Sequence, residues 1–439
     1  MSIISSELSG LEGTDLRKSF GPIEAPERMI LLDVLRGFAI FGILVANNLG
    51  TGPYLDFSLT SLERFSANLI EILVRDKFWP LFALLFGIGF AVQLERADAR
   101  NAGIWKPYLR RLLFLALIGG VLQLFIEVPQ LLQLAITGVP MLVIGYILRH
   151  RPRRVLQWCI LAVCLIGLSV SIPRDLRWLN PVTGRQPQLT SEEVTQRIEI
   201  WRDRREQNQA RATEWNLDRL SPHIRSVLRS YRDIPLDVVL ARRLHIFLLF
   251  YMLIGMLIWR SKVLHEASQR RRVFLHFLAW SLPIGIAAAV FVNAVQMAGT
   301  QASQLGLGKY PSFFSSLIFN PMRIVASLGM ALTYVAGITL LMQRIIWARV
   351  LIIFSPVGRM ALTNYIFQAL FPAIIFGSYT PAIVPPASVN YMERIIVLIV
   401  IFGIQVVLSQ VWLRFYKFGP LEWLLRSLTY WRRQPMRNR

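Results

Sequence analysis

The hydrophobic pattern of the chain consists of long apolar runs separated by short polar segments. Each run contains roughly 20 residues, enough for an α-helix to cross the hydrocarbon core of a bilayer. About ten such runs lie near residues 30–49, 77–95, 108–127, 130–149, 155–172, 243–260, 273–297, 323–342, 356–378 and 393–414. They predict an all-α fold, a polytopic integral membrane bundle of about ten transmembrane helices.

One long polar segment, residues 173–242, interrupts this pattern. Its TSEEV sequence is a capping box, and Ser221 followed by Pro222 is typical of a helix start. Apolar residues follow both signals at helical spacing, so we expect an amphipathic helical extracytoplasmic loop. Two interpretations of this loop remain open: a helical hairpin that rests on the membrane surface, or a lid that touches substrate.

Basic residues are concentrated in alternate short loops, namely 96–111, 149–154, 260–272 and 343–350, and in the C-terminal tail. By the positive-inside rule these loops and both termini are cytoplasmic. The chain then divides into a cytoplasmic N-terminal segment, a first membrane half, the extracytoplasmic helical loop, a second membrane half and a cytoplasmic amphipathic basic tail. These parts are residues 1–29, 30–172, 173–242, 243–414 and 415–439.

Composition excludes a soluble protein. The 439 residues are 54% hydrophobic and only 17% charged, with a mean hydropathy of +0.47, which is too apolar for a soluble chain of this size. The net charge of +22 does not indicate nucleic acid, because the basic clusters alternate with apolar runs. The lipid bilayer is the expected partner. Cys159 and Cys164 lie on different faces of one helix, so no disulfide and no metal site are expected.

The first apolar run, DVLRGFAIFGILVANN at residues 33–48, contains ionisable groups that are expensive in hydrocarbon. Asp33 lies three residues before Arg36, within ion-pair reach on a helix. Asn47 returns to nearly the same face about 16 Å further along the axis, and Asn48 follows it. The pattern indicates either a structural ion pair with interfacial amides or a polar pathway through the bundle.

Acid–base groups at the outer ends of the runs are candidate catalytic residues. Glu127 lies beside Pro129 at the end of the third run, and His245 opens the sixth run. Each is either a general base that faces an extracytoplasmic acceptor or a structural side chain at the interface. Lys77 stands at a membrane entrance, where it can snorkel or bind an anionic group.

A second polar cluster, GRMALTNYIFQ, places several hydrogen-bonding groups in one span. These residues are Arg359, Thr363, Asn364, Tyr365 and Gln368. Such groups usually face other helices or a wet cavity, and we favour an internal polar site over simple interhelical bonding.

The final block, FGPLEWLLRSLTY, predicts an amphipathic helix after the last span. Glu422 and Arg426 have the spacing of an ion pair on this helix. The block is either a membrane-surface anchor or a contributor to a nucleotide site.

Four blocks resemble a known family: LLDVLRGFAIFGILVANN, KFWPLFALLFGIGFAVQLER, GRMALTNYIFQAL and FGPLEWLLRSLTY. They look like the signature blocks of the YeiB-like family of bacterial multi-pass membrane proteins, within the wider transmembrane acyltransferase superfamily. The resemblance implies a protein of the bacterial cytoplasmic (inner) membrane. It also implies transfer of an acyl group from cytoplasmic acyl-CoA to an extracytoplasmic or lipid-linked acceptor.

In those acyltransferases an arginine in the first span is followed eleven residues later by a catalytic histidine. Arg36 matches the arginine, but Asn47 stands at the place of the histidine, and Gln123 stands where the YeiB-like proteins commonly have acid–base groups. Amides do not accept a proton near neutral pH. This member is therefore depleted in acid–base groups.

We accordingly expect three groups of site residues. The group that lines a substrate or polar cavity is Asn48, Arg359, Thr363, Asn364, Tyr365 and Gln368. Asp33, Arg36 and Lys77 are assigned to the acyl-CoA donor. The catalytic group is His245, Glu127 and Asn47.

Two further hypotheses remain, a transporter of a polar or anionic solute and a non-catalytic membrane partner protein. In the transporter hypothesis the path is lined by Arg36, Asn47, Arg359 and Asn364. The sequence is also compatible with a homo-oligomer.

Overall fold

The computed structural model describes residues 29–49, 60–126, 130–170, 243–266, 270–304, 315–376 and 391–437. Within these ranges the chain forms helices and no β-strand, so the all-α prediction is confirmed. The predicted N-terminal segment and the predicted extracytoplasmic loop lie almost entirely outside the described residues.

The α-helices follow one another along the chain, and a short π-helical segment, Ser315–Phe319, precedes the ninth. They are α1 (Ile30–Asn48), α2 (Ser61–Leu73), α3 (Phe78–Ala99), α4 (Trp105–Ile126), α5 (Gln130–Leu148), α6 (Arg153–Ser169), α7 (Arg243–Arg260), α8 (Arg271–Gln304), α9 (Asn320–Met342), α10 (Ile345–Leu351), α11 (Phe354–Arg359), α12 (Ala361–Phe376), α13 (Tyr391–Phe415) and α14 (Pro420–Tyr430).

Six helical segments among the described residues are long and apolar enough to cross a membrane by length and composition. They are 30–48, 61–99, 130–148, 271–299, 317–342 and 391–415. Helices α4, α6, α7 and α12 coincide with the other four predicted apolar runs, but they are shorter or carry more charge. The membrane class is therefore supported, while the count of about ten spans stays a prediction.

Helix α2 lies within residues 50–76, a stretch that the hydrophobic pattern assigned to a loop. Its start is stabilised by a capping box. The Thr60 hydroxyl accepts from the Glu63 backbone N–H at 3.3 Å, and the Thr60 backbone N–H donates to the Glu63 carboxylate at 3.0 Å. The signal is visible in the sequence as a threonine three residues before a glutamate.

The apolar run predicted at 356–378 is not one helix. It is broken at Met360 (φ −107, ψ 37) into α11 and α12. The break persists because the first N–H groups of α12 find an external acceptor: Leu362 and Thr363 donate their backbone N–H groups to Glu422 at 2.6 and 3.0 Å. The predicted cytoplasmic loop 343–350 also contains a helix, α10.

Glycines allow two pairs of helices to approach closely. A Cβ atom at Gly358 of α11 would lie 1.8 Å from the Asp33 carbonyl oxygen of α1, and one at Gly87 of α3 would lie 1.9 Å from the Met252 carbonyl oxygen of α7. Each pair joins the first predicted membrane half to the second. The two halves therefore share one interior.

The two ends of the bundle differ in charge. At one end the chain carries Arg96, Arg149, Arg260 and Arg426, and we call this the basic end. At the opposite end Arg323 of α9 forms an ion pair with Asp76, in which Nη2 and Nε both donate to Oδ2 at 2.7 and 3.1 Å.

Candidate functional site: an arginine-lined cavity

A cavity of about 270 Å³ lies at the basic end, between helices α1, α3, α4, α5, α12 and α14. Five arginines and two carboxylates line it, so positive charge is in excess. The charged lining residues are Asp33, Arg36, Arg96, Arg111, Arg359, Glu422 and Arg426. Such an arrangement favours an anionic ligand group, because guanidinium groups match the oxygens of carboxylates and phosphates.

The same cavity has a long apolar wall. Along α3 its apolar lining extends from Phe82 to Val92, a distance of about 15 Å at the rise of an α-helix. Leu131 and Leu134 of α5 add to this wall. Tyr365 lies at its far part, where its ring packs against Trp79 in the first turn of α3 at 6.3 Å. The cavity therefore has a cationic part at the basic end and an apolar part that extends toward the opposite end.

Asp33 and Arg36 form the predicted ion pair on α1. The Arg36 guanidinium donates to the Asp33 carboxylate at 3.1 Å. The Asp33 side chain is 12% exposed and that of Arg36 is 32% exposed, so the arginine is the partner that reaches into the cavity. Gly89 of α3 leaves room for it, because a Cβ atom there would lie 3.4 Å from an Arg36 guanidinium nitrogen.

Glu422 of α14 fixes the C-terminal helix to the start of α12. Its carboxylate accepts the two backbone N–H groups described above, and it accepts from the Thr363 hydroxyl at 2.6 Å. The Thr363 oxygen in turn accepts from the Leu421 N–H at 3.2 Å. Helix α14 contributes Leu425, Arg426 and other residues to the cavity wall. Helix α14 therefore forms part of the cavity wall, and the choice between a membrane-surface anchor and a contributor to a nucleotide site stays a prediction.

Burial raises the pKa of the Glu422 carboxyl above its usual value of 4.5, and the hydrogen bonds from Thr363 and Leu362 oppose the shift without cancelling it. Helix α14 lies outside the membrane-length helices. Because the folded state binds a proton more tightly than the unfolded state, stability falls as the pH rises from about 4.5 through the raised pKa.

We therefore expect Glu422→Gln to remove part of the pH dependence of the melting temperature. The amide oxygen still accepts one hydrogen bond but the group does not titrate. Melting curves in detergent from about pH 4.5 to neutral pH test this. Glu266→Gln is the matched control, because Glu266 is a largely accessible carboxylate at 2.6 Å from Arg270 and does not line the cavity. A wild-type slope in the Glu422→Gln protein would contradict the assignment.

Arg359 and Tyr365, both predicted site residues, also line the cavity. Arg359 donates to the Lys417 carbonyl oxygen at 3.4 Å, but its Nε is buried without a hydrogen-bond partner among the described residues. The Tyr365 hydroxyl donates to the Gln130 side-chain oxygen at 3.0 Å. An anion in the cavity would give the buried Arg359 Nε the acceptor that it lacks.

Asn364 and Gln368 belong instead to an interhelical network between α12 and α13. The Asn364 amide donates to the Ser409 hydroxyl at 3.0 Å, and the Gln368 amide donates to the Gln405 oxygen at 2.8 Å. Neither is among the described residues that line the cavity. For these two residues the structure shows interhelical bonding.

The structure does not bring Asn47, Asn48 or Lys77 to the cavity. Asn47 is exposed at the far end of α1, and the Asn48 amide donates to the Leu44 carbonyl oxygen at 2.8 Å. Lys77 is buried at the start of α3 and donates to the Glu71 carbonyl oxygen at 2.7 Å. Lys77 therefore lies at the opposite end of α3 from Arg36, and its assignment to the donor stays a prediction.

His245 is buried between α7 and α5, where its Nδ1 lies 3.3 Å from the Thr137 hydroxyl. Leu134 of α5 lines the cavity. Thr137 lies about one helical turn beyond Leu134. Glu127 lies outside the described residues. Gln123 is described, and its side-chain oxygen is buried without a partner among the described residues.

Sequence reasoning missed Arg96, Arg111 and Arg426 as site residues, since it assigned them to topology or to the membrane surface. One signal was available. Positions 82, 86, 89, 93 and 96 have the spacing of a single helix face. Along the cavity wall this face changes from apolar at Phe82 to cationic at Arg96.

The fold is that of a helical protein of the membrane class, and it contains an amphipathic cavity. Residues 258–432, which include Arg359 and the whole of α14, match a family model described as "Protein of unknown function (DUF418)".

The chain is also similar over most of its length to curated bacterial proteins. It is 29% identical over 438 residues to "Uncharacterized protein YxaH" of Bacillus subtilis (strain 168), and the aligned region covers 95% of this chain and 98% of that protein. It is 25% identical over 419 residues to "Uncharacterized protein YeiB" of Escherichia coli (strain K12), and the aligned region covers 92% of this chain and 96% of that protein. No solved structure matches the chain. These similarities support a YeiB-like family.

Proposed function

We propose that the protein is a transmembrane acyltransferase-like enzyme whose acyl-CoA donor occupies the arginine-lined cavity. The observation that carries this proposal is the division of one cavity into a cationic part and an apolar wall about 15 Å long. Phosphate groups of the donor would contact arginines such as Arg36 and Arg359, and the acyl chain would lie along Phe82 and Leu131. The transferase reaction itself comes from the resemblance of the first helix to known acyltransferases.

We further propose that the basic end faces the cytoplasm of a bacterial inner membrane. The short loops with most of the arginines lie at this end, as the positive-inside rule requires. A cytoplasmic basic end gives soluble acyl-CoA direct access to the cationic part of the cavity. The acceptor, a small or lipid-linked molecule, would then approach from the opposite end.

In the proposed reaction the acceptor hydroxyl oxygen attacks the thioester carbonyl carbon. A carbon–oxygen bond forms, the carbon–sulfur bond breaks, and the hydroxyl proton passes through a base to the departing CoA thiolate. The proposed base is His245 or Glu127, because Asn47 and Gln123 are amides that do not accept a proton.

The test is turnover of labelled long-chain acyl-CoA by the purified protein in proteoliposomes, with lipid and small-molecule acceptors outside. Replacing both candidate bases, as His245→Ala with Glu127→Ala, is expected to lower turnover by about a hundredfold or more, the usual scale for losing a general base. Release of CoA and transfer of label are measured together, so hydrolysis is distinguished from transfer.

A matched control is Gln296→Ala, a polar substitution in α8, a helix that contributes nothing to the described cavity lining. Full activity of the double variant would refute the assigned bases. No turnover by the wild type with any acceptor, together with solute uptake in the absence of acyl-CoA, would refute the enzyme in favour of a transporter.

A further inference from the structure

A second cavity, of about 330 Å³, lies at the basic end between the ends of α3, α5 and α7 and the start of α6. Four cations and two carboxylates line it. They are Arg149, Arg153, Arg260, Lys262, Glu95 and Asp98. Trp259 lines both this cavity and the arginine-lined cavity, so it forms part of the wall between them.

The two carboxylates and two of the cations already have structural partners. Glu95 accepts from the Trp259 indole N–H at 2.7 Å, and Asp98 lies 3.7 Å from the Arg149 guanidinium. Arg260 donates to the carbonyl oxygens of Leu148 and Arg151 at 3.0 and 2.6 Å, which caps the end of α5. Carboxylates engaged in this way are poor ligands for a metal cation, so the remaining chemistry of the cavity is cationic.

Arg149 is held rigidly but has unused hydrogen-bonding capacity. Its guanidinium lies 3.7 Å from the centre of the Tyr146 ring, and its Nε donates to the His150 ring nitrogen at 2.8 Å. Its Nη1 is buried and has no hydrogen-bond partner among the described residues. A buried guanidinium N–H without an acceptor is costly, and an anion in the cavity would remove that cost.

Arg153 and Lys262 are exposed at the cavity, and neither side chain forms a hydrogen bond or an ion pair to any residue that the structure describes. Arg153 and Arg260 repel each other electrostatically. Arg153 also lies in the first turn of α6, the end of a helix at which a cation is disfavoured. An anion between these residues would reverse each of these unfavourable interactions.

We propose that this second cavity binds a phosphate group through Arg149, Arg153 and Lys262. A phosphate offers three acceptor oxygens and more than one negative charge, which matches three cations that converge from α6, the end of α5 and the turn after α7. The phosphate belongs either to an anionic lipid headgroup or to a soluble phosphate ester. The site is separate from the proposed acyl-CoA site, and it does not depend on acyl transfer.

The test uses the full chain in phosphatidylcholine nanodiscs without acyl-CoA. One arm adds phosphatidic acid to the nanodisc lipid, and the other adds glycerol 3-phosphate to the buffer. Binding is measured by native mass spectrometry and by the change in tryptophan fluorescence. The fluorescence change is assigned to Trp259 if it is lost in the Trp259→Phe protein. Binding of phosphatidic acid alone assigns the lipid source, whereas binding of glycerol 3-phosphate assigns the soluble source, and either result supports the site.

The decisive variants are two double substitutions. Each removes two positive charges from the basic end of the bundle. Arg153→Gln with Lys262→Gln is expected to weaken binding about tenfold or more, the scale of lost charge-assisted hydrogen bonds. Arg271→Gln with Arg272→Gln changes the first turn of α8, outside this cavity, and is expected to have little effect. Equal weakening in both proteins, or binding of neither probe by the wild type, would overturn the proposal.

Discussion

Arg36→Ala is expected to weaken acyl-CoA binding by a factor of about 10 to 100, the range for losing hydrogen bonds between charged groups. The guanidinium of Arg36 is held by Asp33 at 3.1 Å and lines the cavity, so its removal takes away one cation and leaves the Asp33 carboxylate facing the anionic ligand. Arg36→Lys should restore binding only in part, because an ammonium group lacks the planar pair of donors. Titration with labelled acyl-CoA in detergent measures each affinity.

Melting temperatures of three variants separate this role from a structural one. If the ion pair serves only stability, Asp33→Ala and Arg36→Ala should each lower the melting temperature more than the double variant does, because each leaves one charge unpaired. If Arg36 contacts the donor, the double variant should still bind acyl-CoA about 10 to 100 times more weakly than the wild type, whatever its stability. Arg349→Ala, at an exposed arginine outside the cavity, controls for net charge. Normal binding by the double variant would contradict the proposed donor site.

Gly358→Ala is expected to destabilise the protein by about 3 kcal/mol, the upper part of the range for an overpacked interior. The new Cβ atom would lie 1.8 Å from the Asp33 carbonyl oxygen, and neither backbone can give way without separating α11 from α1. Because Asp33 and Arg359 flank this contact, the cavity should be distorted as well. Thermal unfolding and acyl-CoA binding are therefore expected to fall together.

Gly403→Ala is the matched control for this substitution. Gly403 lies in α13, and no heavy atom would lie within 4 Å of a Cβ atom there. Alanine is a better helix former than glycine by about 1 kcal/mol, so this variant should be as stable as the wild type or more stable. A Gly358→Ala protein that melts at the wild-type temperature would show that α1 and α11 are not in the close contact described above.

The positions of most helices could be predicted from the apolar runs alone, because a membrane-length helix is specified by about 20 consecutive residues. The predicted helix boundaries are wrong where a polar side chain determines the start of a helix. Helix α2 is short and nearly half polar, and the capping box of Thr60 and Glu63 marks its start. The break at Met360 depends on Glu422, which lies about sixty residues further along the chain, and no local pattern contains that information.

The candidate site was predicted in part for a similar reason. Asp33 and Arg36 are neighbours on one helix face, so their pairing followed from the spacing. Arg96, Arg111 and Arg426 join them only because α3, α4 and α14 converge, and a single sequence does not specify which helices are neighbours. The chain alone also could not separate Arg359, which lines the cavity, from Asn364, which bonds to Ser409 of α13.

The docking of α14 has a consequence for biogenesis. One wall of the arginine-lined cavity comes from α1 and another from α14, and α14 follows all the membrane-length helices in the chain. Glu422 is therefore synthesised after every described membrane-length helix, and the cavity gains its last wall only when α14 docks. A protein truncated after Phe415 would keep the six membrane-length helices described above but would lack the wall that α14 supplies, which leaves the apolar part of the cavity open.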